Sequence, residues 1–175
     1  MATFIKNELK IKHDFDPQTK RHYNNGVLSV LHCHHYSSLY SQLAVDANET
    51  ELLKESAWES FREVLSKYFK DNNIASIPDK ADLACQQYAA MGLGTMKIHN
   101  MNEHSGEVEL LSSHTDEGWK KKWGVYDRPV NYISAGFVEA MFETVLDTPP
   151  KSFFAKEVQS IVMGAETSKF KVTRR

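Results

Sequence analysis

Residues 131–146, with the sequence NYISAGFVEAMFETVL, combine apolar side chains at helical spacing with small residues near the start of the run. The small residues Ser134–Gly136 allow a neighbouring element to pack closely against this helix. Pro149 and Pro150 follow, and because proline cannot continue a helix, they force an extended segment. The pattern predicts a closely packed helix that leads into strands. Its apolar positions are Ile133, Phe137, Ala140, Met141, Phe142 and Val145.

A strand hairpin is predicted on each side of this helix. Residues 96–111 alternate between apolar and polar side chains around a turn at His104–Gly106, which is typical of strands with one buried face. Residues 152–162 and 167–173 form a second pair of strands around the turn Met163–Glu166.

Three more helices are predicted upstream, over about 27–46, 49–69 and 80–91. Apolar residues of the second helix recur every three or four positions, which indicates one buried face. Residues 112–130, between the hairpin and the last helix, are predicted to form a loop or a short helix. Residues 1–25 carry turn signals and are predicted to be an extended arm and a loop. The order of helices, hairpin, helix and hairpin predicts a single α+β domain, with helices packed against an antiparallel sheet.

The composition excludes several classes of protein. The 175 residues carry 21 basic and 23 acidic side chains, a net charge of -2, so we expect no nucleic-acid partner. No window holds the roughly 20 apolar residues that a membrane span needs, and the N-terminus has no signal-peptide core. Cys33 and Cys85 lie far apart in the sequence, which is typical of free thiols in a reducing compartment. We therefore expect a cytoplasmic protein.

Residues that can bind a metal ion or take part in catalysis are concentrated in two segments. The first is His32-Cys33-His34-His35, and the second contains His114, Asp116 and Glu117. Imidazole and thiolate are the usual ligands of zinc and of other transition metals, and carboxylates complete such sites. These residues predict a site for zinc or iron. Their spacing is not that of a zinc finger, so a polar lining for another ligand is the alternative.

Other roles for the same residues stay open. Cys33 between two histidines suggests an activated thiol, although neighbouring residues on a helix point in different directions, which favours a structural cysteine. Glu139 and Glu143 share a helix face and are either further metal ligands or solvated acids. His32, His34 or His35 would suit a proximal haem ligand, but no propionate-binding signature accompanies them, so haem is less favoured than zinc or iron.

The C-terminal part of the sequence resembles a known family. The segments Asn131–Ala140 and Phe154–Glu157, then Met163-Gly164 and Lys169–Val172, resemble the end of the 4-vinyl reductase domain. That family shares a structural superfamily with the Bet3-like vesicle-tethering subunits and the haem nitric-oxide sensor domains. The resemblance is best over residues 107–173.

The family's closing hairpin typically carries a glutamate and two cysteines that hold zinc. The matching positions here are Glu157, Ser160 and Ser168, followed by the family's phenylalanine at Phe170. Both cysteines are therefore replaced by serine. Because a serine hydroxyl does not supply a thiolate at neutral pH, we expect this zinc site to be absent.

The resemblance implies a ligand-binding domain for a small apolar or aromatic molecule, such as a hydrocarbon, in a cavity between helices and sheet. Aromatic residues at helical spacing suit such a cavity, but they equally suit a filled core. One alternative is a metal-dependent enzyme that uses His32, His34, His35 and His114. A second is a homodimeric assembly or accessory subunit. The predicted ligand-binding residues are His32, His35, Tyr36, His114, Trp119, Phe137 and Met141.

Overall fold

Five α-helices and two antiparallel sheets account for most of residues 7–30 and 32–175, the part of the chain that the computed structural model describes. The strands are β1 (His13–Asp16), β2 (Arg21–Asn24), β3 (Val27–Ser29), β4 (Gly94–Met101), β5 (Ser105–Ser113), β6 (Phe153–Gln159) and β7 (Ser168–Arg174). The helices are α1 (His34–Asp46), α2 (Thr50–Asp71), α3 (Ile77–Ala90), α4 (His114–Trp123) and α5 (Tyr132–Val145), with a short 3₁₀ turn at Ile161–Met163.

The larger sheet has the strand order β4-β5-β7-β6, with every neighbouring pair antiparallel. Buried residues alternate along β5, β6 and β7, as the two-residue period of a strand requires, while Met96 is the buried residue of β4. Val108 of β5 lies opposite Phe170 of β7, and Ala155 of β6 lies opposite Val172. All four are buried, so this face of the sheet forms one wall of the core.

Helix α5 lies at the centre of the molecule. Every residue from Ser134 to Val145 is buried, because α2 covers one side of the helix and the sheet covers the other. Phe137 meets Phe61 of α2 edge-to-face at 5.0 Å between ring centroids, and Phe142 meets Phe153 of β6 at 5.5 Å. The α+β architecture and the central helix predicted from residues 131–146 are both confirmed.

Gly136 sets the spacing between α5 and α2. A Cβ at this position would overlap the carbonyl oxygen of Lys54 and would lie 2.9 Å from the Cβ of Ala57. Because the obstacle is backbone, a larger residue would push the two helices apart. The small residue that the sequence places here is therefore required by the close helix contact.

The N-terminal region differs from the prediction. The segment predicted to be a loop contains β1 and β2, and α1 begins at His34 rather than near residue 27. Asn25 and Gly26 both have positive φ, 50° and 78°, so they form the tight turn that joins β2 to β3 as a hairpin. The turn signal that suggested a loop is thus a hairpin turn. Residues 1–6 of the predicted arm and Leu31 of the predicted first helix lie outside the described residues.

The small sheet β1-β2-β3, here called the arm sheet, reaches the helices through the segment that precedes it. The backbone N–H of Leu9 donates to Gln86 Oε1 on α3 at 2.9 Å, and that of Lys10 donates to Tyr68 Oη on α2 at 2.9 Å. Leu9 also packs against the main core. The arm sheet is therefore anchored at one end. Within the described residues, no helix is both long enough and apolar enough to span a membrane.

Candidate functional site

Buried polar side chains meet where α4, α5 and the closing hairpin β6–β7 come together. Asp116 of α4 is fully buried, and its Oδ2 accepts hydrogen bonds from Ser168 Oγ at 2.9 Å and Asn131 Nδ2 at 3.1 Å. Asn131 Nδ2 also donates to Ser113 Oγ at 2.9 Å. We call this group the hydroxyl–carboxyl cluster. Its members are Ser113, Asp116, Asn131, Glu157, Ser160 and Ser168, all buried.

Helix capping brings these side chains to one place. Ser113 Oγ accepts the N–H of Asp116 at the start of α4, and Asn131 Oδ1 accepts the N–H of Ser134 at the start of α5. Ser160 Oγ likewise caps the 3₁₀ turn by accepting the N–H of Val162. Since caps satisfy the first N–H groups of a helix, three element starts converge on the cluster and direct their positive ends towards its carboxyl groups.

Glu157 is the second acid of the cluster. Its Oε2 accepts the backbone N–H of Asn131 at 3.3 Å. Burial and the charge of Asp116 together raise the pKa of Glu157 to about 8, while the nearby hydroxyl groups of Ser160 and Ser168 oppose the shift. Burial also raises the pKa of Asp116 above its ordinary value. Two buried acids thus lie close enough to disfavour each other's ionisation.

The hydroxyl–carboxyl cluster does not fit zinc. All of its donor atoms are oxygens or amide nitrogen, whereas protein zinc sites are built from thiolates and imidazoles with at most one or two carboxylates. Ser168 Oγ accepts the N–H of Ile161 at 2.9 Å while it donates to Asp116, so its bonding capacity is in use. The residues present therefore form a hydrogen-bonded network and leave no set of zinc ligands.

The histidine-rich segment lies on the other side of α4. His34 and His114 are the first residues of α1 and α4, and their ring centroids are 6.1 Å apart. They line a small cleft of about 200 Å³ together with Glu117, Gly118 and Lys121. The Nε2 atom of His34 is buried without a hydrogen-bond partner among the described residues. Partial desolvation lowers the pKa of His34, and His35, Lys121 and His114 lower it further.

Of the other predicted metal ligands, Glu117 lines the same cleft and the ring of His35 lies 4.2 Å from that of His34, while the rest lie farther away. Cys33 is exposed before the first turn of α1, with its Sγ 3.8 Å from Nδ1 of His35. His32 precedes the helix and its ring lies 5.9 Å from that of Tyr36. Asp116 belongs to the hydroxyl–carboxyl cluster. Across residues 7–30 and 32–175, no three His, Cys, Asp or Glu side chains stand close enough together to hold a metal ion.

The predicted ligand-binding residues lie in three separate places. Phe137 and Met141 are fully buried in the main core, while Trp119 lies in a second apolar cluster with Val130 and Val162. The remaining residues lie around the start of α1 and α4: His32, His35, Tyr36 and His114. Trp119 Nε1 is buried and has no acceptor within the described residues. These assignments stay predictions.

Glu139 and Glu143 are neither solvated nor grouped with the histidines. Glu139 Oε1 accepts the N–H of Ala155 at 2.8 Å and lies 3.3 Å from Lys54 Nζ. Glu143 Oε2 accepts the indole N–H of Trp58 at 2.9 Å. Both acids are buried, so they join α5 to α2 and β6. The expectation that such acids stay in solvent is therefore wrong at these two positions.

The largest clefts include one between the arm sheet and helices α2 and α3, which we call the arm cleft. It measures about 550 Å³, within the range of small-molecule sites. Sequence reasoning missed it, because the arm sheet that forms one wall was predicted to be a loop. Its apolar lining residues are Ile11, Val27, Val64, Tyr68, Ala90 and Met91.

No protein-family model and no curated protein sequence matches the chain. Three solved structures share its fold at low sequence identity. The phenol-responsive sensory domain of the transcription activator PoxR, solved with phenol, has a TM-score of 0.77 at 12% identity, over 93% of this chain and 84% of that one. A vinyl-4-reductase family protein from Methanocaldococcus jannaschii has a TM-score of 0.56 at 17% identity, over 84% of both chains.

The third structure is a trafficking protein particle complex subunit 3 from Naegleria fowleri, covalently bound to palmitic acid. Its TM-score is 0.54 at 13% identity, over 80% of this chain and 90% of that one. The chain has the vinyl-4-reductase fold. The resemblance found over residues 107–173 is therefore confirmed for the fold, and it extends upstream through the helices.

We predict that Glu157 lowers the free energy of unfolding progressively as the pH rises from 4.5 to about 8. Glu157 has an ordinary pKa of 4.5 when unfolded and about 8 when folded, so between these values the native state keeps a proton that the unfolded state has lost. Its steepest contribution is about 1.4 kcal/mol per pH unit. Asp116, with its raised pKa, acts in the same direction. Urea unfolding at a series of pH values measures the effect.

Glu157→Gln removes the titrating group and should flatten this dependence, while Glu166→Gln, at an exposed position, should not. Besides burial, the charge of Glu157 also raises the pKa values of Tyr88 and Tyr132. Both values lie above 10, so these tyrosines stay neutral between pH 4.5 and 8. Glu117 faces Asp116 and is unchanged in both variants. An identical pH dependence in wild type and Glu157→Gln would contradict the prediction.

Proposed function

We propose that this chain is a small-molecule-binding domain, that its ligand is apolar or aromatic, and that the ligand lies in the arm cleft. The observation that carries the proposal is an open cleft of about 550 Å³ with an apolar floor and a polar rim. Ligand sites typically combine such a floor with a few polar groups that orient the ligand. The neighbours of the same fold support this choice, since one is a phenol-responsive domain and another carries palmitic acid.

Most of the charges around the arm cleft are compensated. Lys12 Nζ lies 3.0 Å from Asp14 Oδ2, and Lys67 Nζ lies 2.5 Å from Asp71 Oδ2. Lys10 adds one further positive charge to the lining. The ion pairs leave a mainly apolar floor for an apolar or aromatic ligand, and the amide groups of Asn24 and Gln87 also line the cleft and can meet a hydroxyl group.

One wall of the arm cleft is anchored more weakly than the other. The helices on one side belong to the main core, whereas the arm sheet is connected to them through the hydrogen bonds of Leu9 and Lys10. A ligand that contacts both walls would fix the arm sheet against α2 and α3. Ligand binding in the cleft would therefore be coupled to the position of the arm sheet.

We predict that phenol, used as a small aromatic probe, raises the melting temperature of the wild-type protein and that Val64→Glu abolishes the rise. Val64 lines the apolar floor, where a buried carboxylate would oppose an apolar ligand. At a ligand concentration of 100 times Kd the gain is about 2.7 kcal/mol, or roughly 5–10 °C for a domain of this size. A thermal shift series with phenol and with palmitate measures it.

Val158→Glu is the matched control, because Val158 is exposed on β6 and does not line the cleft. It should leave the ligand-induced shift unchanged. If phenol and palmitate shift neither protein, the binding proposal fails. If Val64→Glu responds like wild type, the ligand lies elsewhere, and Trp119→Phe then tests the unpartnered indole N–H as its donor.

A homodimeric assembly subunit is a second candidate, favoured by the outer face of α1. Tyr36, Leu39, Tyr40 and Leu43 follow one another at helical spacing and are all exposed. Asp46 is the one Asp, Glu, Lys or Arg residue in α1. Because an isologous dimer places the same face of both copies together, an apolar and nearly uncharged face is compatible with self-association.

We predict a concentration-dependent dimer in analytical ultracentrifugation that Leu43→Glu converts to a monomer. A carboxylate within the contact would have to be buried without a partner. Leu52→Glu is the control, since Leu52 is equally exposed but lies on α2. A wild-type monomer at every concentration measured would rule out this candidate.

A metal-dependent enzyme is the third candidate, and it is favoured by the unpartnered Nε2 of His34 beside His114. An ion of zinc or iron held there by two imidazoles would keep open positions for a substrate. We predict near-stoichiometric zinc or iron in the purified protein, lost in His34→Ala/His114→Ala and kept in His99→Ala/His104→Ala. Elemental analysis with an absorption spectrum, which also detects haem, measures it. A metal-free wild-type protein would exclude this role.

A further inference from the structure

The three positions that match the family's zinc ligands converge in space. The hydroxyl groups of Ser160 and Ser168 both lie near the carboxyl group of Glu157 and oppose the rise of its pKa that burial causes, although Ser160 precedes the 3₁₀ turn and Ser168 begins β7. Glu157 Oε1 itself has no hydrogen-bond partner within the described residues. Asp116 approaches the same point from α4 through its hydrogen bond to Ser168. The closing hairpin thus brings together the three positions that match the family's zinc ligands, but the side chains at these positions offer only oxygen atoms.

Asp116 links several parts of the cluster and is fully buried. Its Oδ2 accepts hydrogen bonds from Ser168 Oγ and Asn131 Nδ2, and its backbone N–H donates to Ser113 Oγ. These partners come from three different segments: the end of β5, the start of α5 and the start of β7. A single acid therefore connects the closing hairpin to the helices, which is the connection that a structural metal ion makes when it draws its ligands from several segments.

We infer that the hydroxyl–carboxyl cluster fastens the closing hairpin to α4 and α5 without a metal ion, and that Ser160 and Ser168 are what excludes zinc from this place. Serine hydroxyls do not ionise near neutral pH, so they donate hydrogen bonds to the carboxyl groups where cysteine would give thiolates to a metal. The cluster replaces metal–ligand bonds with hydrogen bonds between the same chain segments.

The hydrogen bonds of the hydroxyl–carboxyl cluster are strong enough to hold the closing hairpin against α4 and α5. A hydrogen bond to a charged or buried acid contributes more than an ordinary one, and its loss leaves a buried acceptor without a partner. Ser168 is doubly engaged, since it donates to Asp116 and accepts from the backbone N–H of Ile161. Removal of this one hydroxyl therefore removes one of the two hydrogen bonds to Asp116 Oδ2 and leaves the buried N–H of Ile161 without its acceptor.

The first test compares chelation with loss of the hydroxyl. EDTA should leave the melting temperature of the His34→Ala/His114→Ala variant, which lacks the histidine pair, unchanged within about 1 °C. Ser168→Ala should lower the melting temperature of the same variant by about 5–10 °C, as expected for two lost buried hydrogen bonds. Ser66→Ala, at an exposed position of α2, is the matched control and should have no effect. A melting temperature of the histidine variant that falls with EDTA and recovers with zinc would overturn the inference.

The second test restores the thiolates. Ser160→Cys/Ser168→Cys, prepared in the His34→Ala/His114→Ala background so that histidine-bound metal is not counted, should bind about one zinc per chain with Glu157. The same background without the cysteines should bind none. The bound zinc should raise the melting temperature of the cysteine variant and should be lost when Glu157→Ala is added.

Each outcome of this second test decides the matter. Stoichiometric zinc or another divalent cation at the cluster of the unmodified serines would overturn the inference. Failure of a folded cysteine variant to bind zinc would also overturn it, because the serines would then not be what excludes the metal. Folding is checked by far-ultraviolet circular dichroism, and Ser160→Cys alone is available where the double variant is unstable.

Discussion

The carboxyl group of Asp116 can be buried because Ser168 Oγ and Asn131 Nδ2 both donate hydrogen bonds to it, while its backbone N–H donates to Ser113 Oγ. An unpaired acid in a protein interior is costly, so the position of Asp116 fixes where Ser168, Asn131 and Ser113 must lie. Since Ser113 and Asn131 also cap α4 and α5, the same hydrogen bonds determine where both helices begin. The closing hairpin then has one position in which Ser168 reaches the acid.

Much of the fold follows from periodicity in the sequence. The helical spacing in α2 and α5 and the alternation in the β4–β5 and β6–β7 hairpins each extend over enough residues for one period to dominate. The arm sheet was not predicted, because its strands have only three or four residues and show no clear alternation. In that region the main sequence signal is the Asn25–Gly26 pair, which favours a tight turn. Such a pair predicts a hairpin only when the residues on both sides of it are also predicted to be strands.

The candidate sites were predicted less completely than the fold. The resemblance pointed to Glu157, Ser160 and Ser168, and the capping pattern from Ser113 to Asp116 was a further signal in the sequence. It is Asp116, and not His114, that points towards these three residues. This depends on the direction of α4, which no local sequence pattern gives. The burial of Glu139 and Glu143 likewise depends on α5 being covered on all sides, so that acids on its surface must pair with α2 and β6.

The structure divides into a firmly packed body and a more weakly attached arm sheet. The body has a filled aromatic core, with Phe137 and Phe142 fully buried, and the cleft of ligand size lies at its border with the arm. A ligand-binding role thus places ligand recognition at the border between body and arm sheet, while the hydroxyl–carboxyl cluster at the start of α5 holds the closing hairpin to the body. The two regions use different residues and can be altered independently.

A double-mutant cycle between Asp116 and Ser168 measures the central interaction most directly. The free energies of unfolding of wild type, Asp116→Ala, Ser168→Ala and the double variant give the coupling energy between the two side chains. We predict a coupling energy of about 1–3 kcal/mol, because either single substitution already removes the hydrogen bond that joins α4 to the closing hairpin. Additive effects, with a coupling near zero, would contradict it.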